Sequence, residues 1–466
     1  VRRPNILLIT TDQQNAETLG CAGNPVIQTP NLDGLAREGA FFSQAFTSFP
    51  LCTPARTSIF TGQYAKHHGV AHNVNMGDTP GPPGLSPERQ AFPELLAAAG
   101  YHTSFFGKLH ARQEGGKNFG LHLARLVEGK GQFVGSPHVQ DEYRRCLAAR
   151  GYPPDIWKTW ELPHYKQHGY VTSPLPERDY IDTFVADLAL QHLDSAREPF
   201  FSWVSFCNPH TPLDPPRPYD AMYDPSAIPP RHRRRGELEE KRRRWVDQLA
   251  RTVPAFPLGQ ADPSLPGGVE NAYSRFPEDK TRRMVAAYYG EVSQLDAQVG
   301  RILRLLESRG LYENTLIIFT SDHGDQCGHN WAFYKSDALY DPIIRVPLIV
   351  RWPGLGAPGQ SLGELVSLVD LMPTVLEAAG LPAPADLDGR SLRPLIAGEP
   401  AAWRQELLVE STGGKALVTP EWKLISWNDG AEELYDRIND PHDLHSLAGE
   451  APLEQTQAAL RRGLLL

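Results

Sequence analysis

The sequence predicts an α/β fold in which a large, mostly parallel sheet is sandwiched by helices. A smaller C-terminal α+β domain containing an antiparallel sheet follows. Three observations carry this: several short, uninterrupted apolar runs, helical periodicity between them, and a switch to alternating patterns after residue 398. The chain has 466 residues, more than one small core needs, so a large domain of residues 1–398 and a small one of 399–466 are expected.

The elements follow in chain order. Asn5–Thr11, NILLITT, is a continuous apolar run with β-branched residues, as suits a strand covered on both faces. Residues 200–206, FFSWVSF, and 346–350, VPLIV, read the same way, as does Thr315–Ser321, TLIIFTS. From 279 to 309, Val285, Tyr288, Val292, Leu295, Val299, Ile302 and Leu306 recur at three- and four-residue steps, one helical face on a core, and Gly310 ends the pattern. The basic stretch RHRRRGELEEKRRRWVDQ, 231–248, has ELEE inside it and reads as a solvated helical face rather than a nucleic-acid patch. After 398, QELLVES, KALVTPEWKLISW and AEELYDRIND alternate and are broken by Gly, Pro and Asp, as in a small antiparallel sheet.

Composition excludes several function classes. A hydrophobic fraction of 41% gives ample core material, and a formal charge of −9 argues against binding nucleic acid through its phosphates. No apolar run reaches the roughly 18 residues of a membrane-spanning helix, so no membrane partner is expected. Cys21, Cys52, Cys146, Cys207 and Cys327 show no CxxC spacing, which fits neither a disulfide framework nor a thiolate zinc site and suits a reducing compartment or simply a low cysteine load. The opening VRRPNILLITTD does not resemble an export signal, so a cytoplasmic location is expected, with a processed exported form as the alternative. The oligomeric state is open, a homo-oligomer included.

Open α/β sheets collect chemistry at the carboxyl ends of their strands. Two strands end in acidic pairs there: Asp12 and Gln13 after NILLITT, Asp322 and His323 after TLIIFTS. Two carboxylates, an amide oxygen and an imidazole suit one divalent cation, and the oxygen-rich set favours Ca2+, with Mg2+ or Mn2+ as the other choices. Taken singly, each Asp reads as a helix cap; as a pair at equivalent strand ends they read as a metal site. A second constellation is FPLCTPARTSIFTG, 49–62, with Pro54 near a first helical turn and Cys52 at or before its N-cap. Such a helix end attracts anions, and Arg56, one turn on, adds a planar donor fork. Residues alone leave Cys52 as a buried thiol, a thiolate nucleophile or something else.

The five letters CTPAR resemble the C-x-P-x-R signature of the type I sulfatases of the alkaline phosphatase superfamily. NILLITTDQQ, TPNLDGLAREGAFFSQAFTSFPLCTPARTSIFTGQYAKHHGV, GYHTSFFGKLH, FFSWVSFCNPHTPLDPP, TSDHGD, RVPLIVRWPG and ELYDRINDP resemble that family too, in its order. The resemblance runs through all but roughly residues 111–172 and 217–277. It implies an alkaline-phosphatase-like sheet and a sulfatase that hydrolyses a small-molecule sulfate ester, of aryl, sugar or choline type, to alcohol and sulfate.

It also implies that Cys52 is a precursor, converted by a formylglycine-generating maturation enzyme to an aldehyde (3-oxoalanine) that hydrates to a geminal diol. One hydroxyl attacks sulfur and expels the alcohol; the second then collapses the sulfated hemiacetal to release sulfate. Asp12, Gln13, Asp322 and His323 match the metal ligands. Arg56 would hold the diol and Lys335 a sulfate oxygen. Lys108 and His110, in GKLH, match the lysine and histidine beside the nucleophile, with His110 removing the hemiacetal proton. His210, in NPHTP, would bind sulfate and protonate the leaving group, and Asn73 is a substrate contact. His67 and His68 read as structural, and His329 as a surface or substrate residue.

Asp12-Gln13 and Asp322-His323 replace the commoner Asp-Asp and Asp-Asn pairs, which resembles the branch of phosphonate monoester hydrolases and choline sulfatases. Gln13 removes a negative charge and makes the metal more electrophilic, so a phosphonate monoester or phosphodiester hydrolase is the alternative. Lys108 and His110 favour the sulfatase.

Overall fold

The computed structural model describes residues 3–74, 81–130, 142–241, 277–336, 338–400 and 402–464. Eight strands form the main sheet, in the spatial order Leu123–Leu126, His102–Gly107, Phe200–Ser205, Asn5–Thr11, Thr315–Ser321, Leu348–Arg351, Ala40–Phe42 and Gln360–Leu362. The first five run parallel. Leu348–Arg351 is antiparallel to both its neighbours. Its apolar run, expected over 346–350, starts two residues later than expected and reveals its strand but not its direction, which is set by the short return through Asp341–Ile344.

The uninterrupted apolar character of Asn5–Thr11 has a direct cause. Ile6 and Leu8 point into a core on one side with Ile59, Phe60, Phe92, Trp203 and Leu371. Leu7 and Ile9 point into the other with Leu35, Val185, Leu295, Val299 and Ile302. Alternate residues serve opposite faces, so every position must be apolar. The Glu278–Ser308 helix covers the second face, and all seven residues of its predicted stripe are buried. Of the basic stretch at 231–248, Glu237–Glu240 is a short helix, and residues beyond 241 lie outside the described ones.

The expected antiparallel sheet is a four-stranded meander of Leu407–Glu410, Gly414–Val418, Trp422–Trp427 and Glu432–Asp436. One of its faces, with Val409, Ala416, Ile425 and Tyr435, packs on Phe46, Tyr340 and Ile343 of the main body. The other, with Leu424 and Leu434, is closed by Leu460 and Leu464 at the C-terminal helix. No described helix is long and apolar enough to cross a membrane.

Candidate active site

Register brings the two acidic pairs together. Asn5–Thr11 and Thr315–Ser321 are neighbours with Thr11 opposite Ser321, so Asp12 and Asp322 leave the sheet side by side. The next two strands on the same edge supply the rest. Phe200–Ser205 leads to the loop bearing His210, and His102–Gly107 leads to Lys108 and His110. Gly107 has φ +102, and a Cβ there would collide with the Ser205 carbonyl, so this turn requires glycine.

Facing that edge is the N-terminus of the Cys52–Thr61 helix. Cys52 is its first residue rather than its cap, and Leu51 occupies the cap position. The orphan N–H of Thr53 is taken by Asn73 Oδ1 at 3.0 Å, so Asn73 caps this helix.

Cys52 Sγ lies 2.8 Å from Lys335 Nζ, 3.4 Å from His323 Nε2 and 3.8 Å from Asp12 Oδ1, and the residue is 1% exposed. Burial and Asp12 push the thiol up, yet Lys335, Lys108 and His323 pull it down further, so that it stands well below the ordinary thiol range. The sulfur marks where the oxygens of a converted residue 52 would stand.

Arg56 is buried and spent on architecture. Its Nε donates to Asp322 Oδ2 at 2.9 Å and its Nη1 to Ser205 Oγ at 2.8 Å and to the Lys108 carbonyl. Its Nη2 has no hydrogen-bond partner among the described residues and sits 3.7 Å from Asp12 Oδ2. Lys108 Nζ pairs with the same Asp12 oxygen. Burial alone would raise Asp12, but Lys108 first, with Lys335 and Arg56, holds it well below the usual carboxylate range. Arg56, Lys108 and Lys335 thus set three cationic side chains around Cys52 and the carboxylates Asp12 and Asp322.

The donor set fits a divalent ion. Asp12 Oδ1 and Asp322 Oδ1 stand 3.9 and 3.7 Å from His323 Nε2. Ligands at about 2.3–2.6 Å from one ion, at right angles, are separated by roughly 3.3–3.7 Å. One ligand atom from each of Asp12, Cys52, Asp322 and His323 lies within 4.8 Å of the others. His323 Nδ1 donates to the Gly324 carbonyl at 2.9 Å, which leaves Nε2 as the acceptor, facing Lys335 Nζ at 3.2 Å and Cys52 Sγ at 3.4 Å. Gln13 takes φ +68 at the strand end.

Both candidate acid–base histidines are oriented by the backbone. His210 Nδ1 donates to the Thr211 carbonyl at 2.8 Å, and burial with Lys335 and Lys108 holds its pKa well below the usual value. His110 takes φ +39, with its N–H on Glu128 Oε2 at 3.1 Å and its carbonyl accepting from Thr53 Oγ1 at 2.7 Å. Its Nδ1 is buried without a hydrogen-bond partner among the described residues.

The other histidines stand apart. His67 pairs with Asp388 at 2.8 Å, and His68 bonds Ser58 Oγ at 3.0 Å behind the helix. His329 is buried in a stack with His232 and His442, so it is not a surface residue. Sequence reasoning missed Asp325 and Glu128. Asp325, in the quoted TSDHGD, accepts from Gln13 Nε2 at 2.7 Å. Glu128 lies past a strand that carries no motif, so no sequence signal marked it.

Residues 4–381 match the family model described as Sulfatase, and 329–465 match that of N-sulphoglucosamine sulphohydrolase, C-terminal. The chain is 31% identical to the arylsulfatase of Clostridium perfringens, over 99% of this chain and 94% of that protein. It is 28% identical to the choline-sulfatase of Rhizobium meliloti, over 96% and 82%. The phosphonate monoester hydrolase of Agrobacterium radiobacter superposes with a TM-score of 0.82 at 26% identity, over 99% of this chain and 95% of that one. A strand-end acidic pair, a CTPAR helix start and the family match over most of the chain lead to one conclusion: this protein belongs to the sulfatase family, sulfuric ester hydrolases of the alkaline phosphatase superfamily.

Proposed function

We propose that the protein hydrolyses a small-molecule sulfate ester to an alcohol and inorganic sulfate, with residue 52 acting as formylglycine beside one divalent cation. The observation that carries this reading is the placement of Cys52 Sγ between Lys335 Nζ, at 2.8 Å, and the Asp12–Asp322–His323 donor set. When present, the cation, Ca2+ on this oxygen-rich set, supplies Lewis acidity, and the hydrated aldehyde supplies a nucleophilic hydroxyl. Asp12, Gln13, Asp322 and His323 would hold the ion.

The chain's own residues do the rest. Lys335 and Lys108 place fixed positive charge where the sulfuryl oxygens gain negative charge, and in a buried site such charge needs no reorganisation. Arg56 keeps Asp322 and the Lys108 carbonyl in place. His210 is held neutral by burial and two lysines; an arriving anion favours its protonation, after which Nε2 can give a proton to the departing alcohol oxygen. His110 takes a proton at Nδ1, a buried ring nitrogen that no described residue engages. Because Cys52 is 1% exposed, the maturation enzyme must reach it before the fold closes.

A phosphonate monoester hydrolase is the second reading, favoured by the Gln13–His323 ligand pattern and by the fold similarity noted above. Lys108 against Asp12 weighs for the sulfate ester, because it adds a cation beside the transferred group. Comparing kcat/KM on an aryl sulfate, choline sulfate, a sugar sulfate and a phosphonate monoester tests this. A sulfate ester should be the most efficient substrate. Higher efficiency on the phosphonate would overturn the assignment.

A further inference from the structure

Gln13 is bound at nearly every polar atom it has. Its N–H donates to Asp322 Oδ1 at 3.1 Å, its carbonyl accepts from Tyr288 Oη at 2.7 Å, and its Nε2 donates to Asp325 Oδ2 at 2.7 Å. Its backbone sits at φ +68, a conformation a glutamine keeps only where neighbours over-determine it. The other Asp325 oxygen, Oδ1, accepts from Cys327 N at 2.7 Å and Tyr334 N at 3.0 Å. Asp325 is fully buried and has both oxygens committed, one to Gln13 and one to the loop that ends in Lys335.

An amide has one donor end and one acceptor end. With Nε2 held by a carboxylate, which can only accept, Gln13 cannot turn over. We propose that Asp325 is a positioning residue that locks the Gln13 amide with Oε1 presented to the cation, and so makes glutamine a usable ligand at this position. The inference rests on the one-cation reading given under Proposed function.

It makes a directional prediction about an isosteric change that removes one negative charge. In Asp325→Asn, the new side chain keeps its oxygen on the two backbone N–H groups and sets its NH2 against Gln13. The amide of Gln13 must then turn over, offering Nε2 to the cation in place of oxygen. An isosteric second change repairs the pair. In Asp325→Asn with Gln13→Glu, a carboxylate oxygen accepts from the asparagine while the other faces the cation, and the negative charge of the pair is conserved.

The test is Ca2+ titration by isothermal calorimetry of the chelator-treated, full-length wild type, of Asp325→Asn and of the double variant, with thermal unfolding recorded for each. Wild type should bind one equivalent. Asp325→Asn should bind about 10–100-fold more weakly, the usual cost of losing a partner that orients a ligand, while remaining folded. The double variant should recover wild-type affinity or better. If both variants are equally weak, or if Asp325→Asn binds like wild type, the positioning role is wrong. If wild type binds no Ca2+, the one-cation reading falls first and takes this inference with it.

Discussion

Replacing Arg56 with alanine is the most informative single change, because this guanidinium joins three parts of the site. It is 1% exposed and bonds Asp322, the Lys108 carbonyl and Ser205, with Asp12 at 3.7 Å. Its loss leaves Asp322 buried without its nearest cation, and breaking such a pair costs about 3–5 kcal/mol. A chain of 466 residues unfolds with an entropy of roughly 1 kcal/mol per kelvin, so Tm should fall by about 3–5 °C. The Lys108 carbonyl also loses its anchor, so activity should fall further than stability suggests, by about 100–1000-fold in kcat. Arg56→Lys keeps the charge but not the fork. It should recover part of the Tm and little of the kcat. The assay pairs thermal unfolding with turnover of the best ester. Wild-type kcat/KM in Arg56→Ala, whatever its Tm, would show that the guanidinium does not organise the site.

Two further outcomes are expected. Lys335 is half-buried and points its ammonium at residue 52, so Lys335→Ala should leave Tm almost unchanged while lowering kcat about 100–1000-fold, measured on the same ester. His68 is buried neutral, its pKa lowered to about 3 by burial first and then by Arg89 and His67. The unfolded chain therefore takes the proton first: His68 contributes fully above about pH 6.5 and loses up to ~1.4 kcal/mol per pH unit as pH falls towards 3. Urea unfolding between about pH 7 and pH 4 should show a shallower slope for His68→Asn, and an unchanged slope would contradict the burial argument.

The fold was legible where burial on both faces forces a continuous signal. Asn5–Thr11 and Thr315–Ser321 are found with their predicted limits, because a strand between two cores has no polar position to blur its ends. The stripe from Val285 to Leu306 was legible because its apolar residues recur at helical steps, although the polar residues between them, Glu291, Gln294, Asp296 and Gln298, are buried too. Direction was not legible in Leu348–Arg351, since apolar runs are alike in either sense. At the site, the acidic pairs announced themselves as polar residues abutting buried strands. That they are neighbours depends on the Thr11–Ser321 register, which no local pattern encodes. Asp325 and Glu128 escaped because they serve through other residues, Gln13 and His110, and such support depends on tertiary proximity. Asn73 was named as a substrate contact, yet its oxygen proves to be engaged by the helix it faces.

The central claim is that residue 52 does not act as a thiol. The direct measurement is mass spectrometry of the peptide spanning 49–62 from active protein, after alkylation of the unfolded chain with iodoacetamide. No alkylation is expected at residue 52, where the mass should be that of an aldehyde or its hydrate, while Cys21, Cys146, Cys207 and Cys327 are alkylated. Quantitative alkylation of Cys52 in fully active enzyme would contradict it.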